Sequence, residues 1–202
     1  MISASGKKIG SHVSADYLDW EEMLRLVHTL YKDKEYLMSV YIGVGAFSGL
    51  RVSDIKQLRW CDILSTEPIT IEETKTGKKR VIKWNTEFQE HVQRCYDNLK
   101  ILNPNYKFLI SQKKMVFSNQ RLNVLLKEMK KKYKVKVGAF SNHTLRKTYG
   151  RKIYNTALEQ GQGDMALILL MDLFNHSSPA ITKRYLGIRQ EELTATFDML
   201  TF

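Results

Sequence analysis

The segment FNHSSPAITKRYLGI, residues 174–188, combines a tyrosine with cations and a histidine. Tyr185 directly follows Lys183 and Arg184. His176 lies nine residues upstream of the tyrosine. A phenol has a pKa of about 10 and is a poor nucleophile on its own. It becomes a useful one when neighbouring groups stabilise its oxyanion or the negative charge that develops on the group it attacks. Tyr185 is therefore a candidate nucleophile if the rest of the chain supplies such groups.

The segment NHTLRKT contains a second set of polar side chains. His143 and Arg146 are three residues apart and would share one face of a helix, which Ser141 or Asn142 could cap. A helix N-terminus with a histidine and an arginine can hold a phosphate oxygen. The same pair is also common by chance, so by itself it is a moderate signal of a phosphate site.

Two further cations stand at the boundaries of predicted elements. Arg51, in SGLRVSD, could form an ordinary surface ion pair with Asp54, or Asp54 could orient it towards a site. Lys75, in TKTGKK, lies at the tip of a predicted hairpin, where lysines are commonly solvated. A lysine there could also reach into a DNA groove and donate a proton. The two segments by themselves leave these alternatives open.

The charge balance favours a polyanionic partner. The 202 residues include 32 lysines and arginines against 21 acids, a formal net charge of +11. Such an excess favours nucleic acid first and an anionic membrane second. A solvated lysine-rich surface is the alternative, and the run KEMKKKYKVK at 127–136 is compatible with either. The hydrophobic fraction of 43% is sufficient for the core of one domain.

Motif spacing predicts no cofactor. No two of the five histidines lie at three- or four-residue spacing, and there is no C-x-x-C or H-E-x-x-H motif, so we expect no metal. The segment GVGAFSG at 43–49 lacks the Gly-Lys-Ser/Thr of a phosphate loop, so we expect no nucleotide. Cys61 and Cys95 have no paired spacing and suit a reducing compartment. The chain has no apolar run of membrane-spanning length and no signal-peptide core, which predicts a soluble intracellular protein.

Hydrophobic periodicity predicts a mainly α domain over residues 14–202, preceded by a flexible leader at 1–13. The first predicted helix covers 18–31 and begins with a capping box formed by Asp19 and Glu22. Further predicted features are a helix over about 34–47 that stops at Gly49, a short helix over 54–60 capped by Ser53, and helical structure after Glu87 with breaks near 103–104, 138, 161–163 and 177–179.

A small antiparallel β-sheet is predicted before residue 87. Alternating and β-branched residues indicate about three strands, at Asp62–Ser65, Ile69–Thr74 and Arg80–Trp84. The last two would be joined by a tight turn at Thr76-Gly77. The fold class is thus α+β, with helices dominating.

The order of these candidates resembles that of the tyrosine recombinases, the phage integrase family. An arginine, a hairpin lysine, a His-x-x-Arg pair, a histidine and a tyrosine nine residues later follow one another along the chain. The resemblance covers residues 14–200 and rests on GLRVSDIKQLRW, TKTGKKRVI, HTLRKT and HSSPAITKRYLGI. It implies the catalytic-domain fold of that family and a site-specific recombinase or integrase that breaks and rejoins DNA.

The resemblance also implies a role for each candidate. Tyr185 matches the nucleophile that forms a 3′-phosphotyrosyl intermediate. Arg51 and Arg146 match the arginines that clamp the nonbridging phosphate oxygens. The remaining matches are Lys75 with the general acid for the departing 5′ oxygen, His143 with an acid/base partner, and His176 with a phosphate-binding hydrogen-bond donor.

Several positions depart from the family pattern. Asn175 stands where glycine is common, Phe174 where leucine is usual, and Lys147 where histidine is frequent. The 30 residues from Arg146 to His176 are several more than usual, and we expect the excess within 153–164. None of these changes replaces a matched catalytic side chain.

The partners implied by the resemblance are double-stranded DNA and further copies of the chain. It implies a tetramer on DNA, a monomer without DNA, no membrane, and a location in the bacterial cytoplasm or at the nucleoid. Family members usually carry an N-terminal core-binding domain; we expect none in these residues, and therefore a fragment or a minimal recombinase. An amphipathic helix with Leu193, Phe197 and Leu200 is predicted after Tyr185, and could dock on a neighbouring copy or on its own core.

Two other functions remain open at this point. A type IB topoisomerase shares the chemistry but relaxes supercoils without exchanging partners, and a DNA-binding remnant would regulate without cleaving. The presence of all six matched side chains argues against the remnant. For the DNA-free protein, repulsion from Lys183 and Arg184 predicts that Tyr185 lies several ångströms from the Arg51–Arg146 pocket, or in a mobile segment.

Overall fold

The computed structural model describes residues 16–111 and 113–189. Within these residues the chain is mainly helical with one small antiparallel sheet, which confirms the predicted fold class. The leader and the predicted helix after Tyr185 lie outside the described residues. The elements, in chain order, are α1 (Trp20–Lys32), α2 (Tyr36–Ser48), α3 (Val52–Ile55), α4 (Trp60–Leu64), β1 (Ile69–Glu72), β2 (Lys79–Ile82), α5 (Thr86–Leu99), α6 (Asn119–Lys132), α7 (Asn142–Glu159), α8 (Gly163–Phe174) and α9 (Pro179–Leu186).

Helix α2 forms the centre of the domain. Its sequence YLMSVYIGVGAFS has no charged residue, and ten of its 13 residues are buried. It packs against α1, α5 and α7. A helix that is apolar on every side is stable only when other elements surround it. The end of α2 is therefore a fixed point in the molecule.

Gly49 ends α2, as predicted. Its φ of 60° lies in the left-handed region, and its N–H donates to the Gly45 carbonyl at 3.0 Å. A Cβ at this position would lie 2.4 Å from Cδ1 of Tyr149 in α7. Glycine is therefore required both by the backbone conformation and by the close approach of α7.

The sheet has two strands within the described residues, where three were predicted. β1 and β2 pair antiparallel, from Ile69 opposite Ile82 to Glu72 opposite Lys79. The predicted strand at Asp62–Ser65 was wrong, because Trp60–Leu64 form the helix α4. The Asp62 carboxylate accepts a hydrogen bond from the Arg59 N–H at 2.7 Å, which caps this helix.

Two predicted helix caps were also wrong. Asp19 precedes α1, but its side chain makes no cap hydrogen bond. Glu22, its expected partner, instead accepts from Arg25 Nε at 2.6 Å and from the Lys136 N–H at 3.1 Å. Ser53 lies inside α3, whose N-cap is Arg51. A charged partner close in space outcompetes the local cap in the case of Glu22.

Helices α7, α8 and α9 build a second, smaller core. Its fully buried members include Leu170, Phe174 and Leu186. Phe174 is the last residue of α8, and Leu186 the last of α9. This packing places the C-terminal ends of α8 and α9 beside α7, and with them the two segments that carry His176 and Tyr185.

Candidate active site

One cavity of about 410 Å³ is lined by all six residues that the sequence singles out. The resemblance predicts that Arg51, His143, Arg146 and His176 converge on one concave face, and this convergence is observed, while the catalytic roles stay predictions. These six side chains come from the N-cap of α3, the hairpin turn, α7, the segment after α8, and α9: Arg51, Lys75, His143, Arg146, His176 and Tyr185.

Arg146 is the most deeply buried cation of the six, with 5% of the residue exposed. Its Nη1 donates to the Gly49 carbonyl at 2.6 Å and its Nη2 to the Leu173 carbonyl at 3.4 Å. The guanidinium carbon lies 4.2 Å from the centre of the Phe174 ring. Burial, the main cause, lowers the pKa of Arg146 to about 10, so the side chain stays protonated at neutral pH. The ends of α2 and α8 thus hold a permanent positive charge at the cavity wall.

Arg51 faces the same cavity but is oriented by a different acid from the one predicted. Its Nη1 donates to Glu73 Oε2 at 2.6 Å, and its Nη2 donates to the Phe174 carbonyl at 2.9 Å. Asp54, the expected partner, instead accepts from the Thr74 N–H at 2.8 Å. Asp54 therefore anchors the hairpin that carries Lys75, and Glu73 orients the arginine.

Glu73 is the residue that sequence reasoning missed. Only 4% of it is exposed, and its Oε2 also accepts from the Thr76 hydroxyl at 3.0 Å. Burial by itself would raise the pKa of this carboxyl, but the hydrogen bonds from Arg51 and Thr76 outweigh it and hold the pKa below its usual value. A signal was present, because Glu73 continues the alternation of Ile69 and Ile71, and an acid at such an inward position needs a buried partner.

Lys75 lies in the turn that joins β1 to β2. The residue is exposed, and it lines the cavity from the hairpin side. The turn is fixed at its base, where the Glu73 N–H donates to the Lys78 carbonyl at 2.9 Å. The backbone of the turn that carries Lys75 is thus held in place, while the exposed side chain can reach a bound group.

The two histidines that line the cavity lie at helix ends. His143 is the second residue of α7, and Ser141 is the N-cap of that helix, as predicted among the alternatives. His176 follows α8, and its Nδ1 hydrogen-bonds with the buried Thr182 hydroxyl at 3.1 Å. Burial lowers the pKa of both histidines, and Arg146 lowers each further. Both shifts favour the neutral imidazole over the imidazolium.

Tyr185 projects from α9 into the cavity. Its hydroxyl oxygen is buried, with no hydrogen-bond partner of normal geometry among the described residues. Burial raises the pKa of Tyr185, while the nearby Arg146 and Arg51 act to lower it. The ring packs 5.2 Å from the His176 ring, and the Lys147 ammonium lies 5.1 Å from its centre.

The position of Tyr185 differs from the expectation for the DNA-free protein. The tyrosine lines the same cavity as the two arginines instead of lying several ångströms away. Packing accounts for the difference, since α9 is tied down by Leu186 and Thr182, both 0% exposed. The expected repulsion from Lys183 and Arg184 is outweighed by this burial.

Two departures from the family pattern have local explanations. Asn175 ends α8 with a φ of 54°, a left-handed conformation that glycine adopts freely and asparagine tolerates. Lys147 is 5% exposed and lies over the Tyr185 ring. The expected extra residues at 153–164 form the last part of α7, the turn after it and the first residues of α8.

Neither a metal cluster nor a spanning helix is found in the described parts of the chain. Within 16–111 and 113–189, no group of three His, Cys, Asp or Glu side chains could hold a metal ion. Over the same residues, no helix is both long enough and apolar enough to cross a membrane. The predicted absence of a metal cofactor stays a prediction.

Comparison with known sequences supports one family. Residues 16–192 match the model of the phage integrase family. The probable integrase/recombinase YoeC of Bacillus subtilis (strain 168) is 29% identical over 172 residues, covering 84% of this chain and 87% of that protein.

Solved structures show the same fold. The XerA recombinase superposes with a TM-score of 0.66 and 21% identity over 91% of this chain. The XerH site-specific recombinase, bound to a palindromic difH substrate in a post-cleavage complex, gives a TM-score of 0.63 and 19% identity over 92%. The present chain spans 64% of the XerA chain and 54% of the XerH chain.

Proposed function

Because the chain belongs to the phage integrase family, we propose that it is the catalytic domain of a site-specific DNA recombinase that cuts and rejoins duplex DNA through a tyrosine. The observation that carries this proposal is the cavity itself. A phenol, two guanidiniums, two imidazoles and a lysine, contributed by five segments of the chain, line one space of about 410 Å³.

In the cleavage step, the Tyr185 oxygen attacks the scissile phosphorus and a 3′-phosphotyrosyl bond forms. The bond from phosphorus to the 5′ oxygen breaks, and Lys75 supplies the proton that this oxygen takes up. The phenolic proton leaves to His143, whose neutral, proton-accepting form is favoured because burial and Arg146 lower its pKa.

The two arginines stabilise the charge that develops on the nonbridging oxygens. Arg51 donates hydrogen bonds to Glu73 and to the Phe174 carbonyl, and Arg146 donates one to the Gly49 carbonyl. These bonds fix the planes of the guanidiniums before DNA arrives, so little reorganisation is needed in the transition state. His176, held by Thr182, adds a further hydrogen bond to the phosphate.

Rejoining is the reverse reaction on a different strand end. The phosphotyrosyl bond conserves the energy of the original phosphodiester, so a free 5′ hydroxyl can displace Tyr185 without a nucleotide. The net charge of +11 supports duplex DNA as the partner. Exchange between two duplexes requires several active sites, and we propose assembly into a tetramer on DNA.

The proposal is tested by trapping the covalent intermediate. The substrates are nicked duplexes with the sequence of the DNA that flanks the coding region. When such a duplex is cleaved, the short strand beyond the nick dissociates, so rejoining is prevented and the covalent complex accumulates. We expect a protein–DNA band that survives denaturation with the wild-type chain, with EDTA present or absent, and no band with Tyr185→Phe or Arg146→Ala. Plasmid relaxation without exchanged products would indicate a topoisomerase instead, and binding without any covalent band would indicate a non-catalytic DNA-binding protein.

A further inference from the structure

A buried carboxylate lies directly behind one of the cavity arginines. Glu73 Oε2 is 2.6 Å from Arg51 Nη1, and its Oε1 is 3.6 Å from Arg80 Nη1. The residue is 4% exposed, so water screens these contacts little. A buried acid in a site built for phosphate needs a physical reason, since it repels the ligand.

The carboxylate does not face the cavity. It is absent from the cavity lining, whereas Arg51 is part of that lining. Instead it lines a separate depression, together with Arg80, Asp172 and Leu173. Glu73 therefore contacts the back of the Arg51 guanidinium, and it leaves the cavity side of that group free for a ligand.

We propose that Glu73 is a positioning residue that holds Arg51 in the orientation needed to clamp the scissile phosphate, an inference that rests on the proposed recombinase function. Arg51 is gripped at both terminal nitrogens, by the Glu73 carboxylate at Nη1 and by the Phe174 carbonyl at Nη2. Two acceptors in these places fix the plane of the guanidinium. Either acceptor alone would leave the group free to pivot.

The charge of Glu73 also counteracts repulsion within the arginine cluster. Arg51, Arg80 and Arg146 lie close enough that Arg51 and Arg80 lower the pKa of Arg146, while Glu73 raises it. A neutral side chain at position 73 would leave three neighbouring cations without this internal counter-ion. In the protein without DNA, the Arg51 guanidinium would then move away from those of Arg80 and Arg146, towards solvent.

The test compares Glu73→Gln with Glu72→Gln. Both substitutions remove one negative charge from adjacent positions of the same hairpin, but Glu72 is exposed. We expect Glu73→Gln to slow formation of the covalent complex by up to about 100-fold, a loss that misplacing a catalytic group by about 1 Å can produce. Its affinity for duplex DNA should stay within about threefold of wild type, because phosphate contacts across the whole surface dominate binding. Glu72→Gln should match the wild type in both assays.

A double-mutant cycle shows whether Glu73 acts through Arg51. Arg51→Lys removes the guanidinium that Glu73 holds. In that background Glu73→Gln should therefore have little further effect on the cleavage rate. Glu73→Asp keeps the charge and should cleave faster than Glu73→Gln at equal thermal stability. If Glu73→Gln proves unfolded, Glu73→Asp takes its place in the cycle, with a smaller loss of rate expected.

Three results would overturn this inference while the wild-type chain still forms the covalent complex. The first is a folded Glu73→Gln that cleaves at the wild-type rate. The second is a Glu73→Gln in which the cleavage rate, DNA affinity and melting temperature all fall in parallel. The third is a loss of cleavage rate that adds to the loss caused by Arg51→Lys. Failure of the wild-type chain to form any covalent complex would instead count against the proposed function.

Discussion

Replacing Gly49 with alanine should both destabilise the protein and impair cleavage. Gly49 has a φ of 60°, and an alanine in that conformation costs roughly 1–2 kcal/mol. The new Cβ would lie 2.4 Å from the Tyr149 ring, and overpacking of this kind costs about 1–3 kcal/mol. The Tyr149 ring has little room to move, since Phe174 and Arg80 flank it. We therefore expect the free energy of unfolding to fall by about 2–5 kcal/mol.

Gly161→Ala is the matched control for this substitution. Gly161 has a φ of 72°, but no atom lies within 4 Å of the added Cβ, so it should lose roughly the 1–2 kcal/mol of backbone strain alone. Urea unfolding of both variants measures the difference. The Gly49 carbonyl also accepts from Arg146 Nη1 at 2.6 Å, so the folded fraction of Gly49→Ala should cleave nicked DNA more slowly than Gly161→Ala. Equal losses of stability and equal cleavage rates in the two variants would refute the reasoning.

Three further predictions concern pH, the nucleophile and salt. Burial lowers the pKa of His91 to about 4, so its stability contribution is complete above its unfolded pKa of about 6.5 and is lost as the pH falls towards 4. Urea unfolding should show that the free energy of unfolding is about 2 kcal/mol lower at pH 5 than at pH 7. This difference should be absent in His91→Gln. An equal difference in that variant would contradict the assignment to His91. Lys147→Met removes the cation over the Tyr185 ring and should slow covalent complex formation about 5- to 30-fold, with partial recovery in Lys147→Arg; an unchanged rate in Lys147→Met would show that the cation is dispensable. Affinity for duplex DNA should fall roughly 10³-fold between 50 and 200 mM salt, and a flat salt profile would argue against phosphate-dominated binding.

The features predicted best from the sequence depend on local chemistry and strong periodicity. The stop of α2 at Gly49 and the hairpin around Lys75 follow from glycine and strand patterns that act over a few residues. The convergence of Arg51, His143, Arg146 and His176 on one cavity was predicted from the resemblance and not from any single motif. Each motif alone had an ordinary structural explanation.

The features that failed depend on contacts distant in sequence. Asp62–Ser65 has the composition of a strand, but burial of Ile63 and the Asp62 cap favour a helix. Arg51 was paired with Asp54 because three residues separate them, whereas the fold brings Glu73 to it from 22 residues away. The placement of Tyr185 depends on the burial of α9, which charge repulsion within the segment does not reveal.

The most direct test of the proposed chemistry identifies the bond that the protein forms with DNA. The covalent complex on a nicked duplex would be digested with protease and nuclease, and the nucleotide-linked peptide sequenced by tandem mass spectrometry. The recombinase mechanism predicts one modified peptide, in which the oxygen of Tyr185 carries the 3′ phosphate of the cleaved strand, and a free 5′ hydroxyl on the released fragment. A phosphate linked to any other side chain, or a linkage through the 5′ end of the strand, would contradict the mechanism.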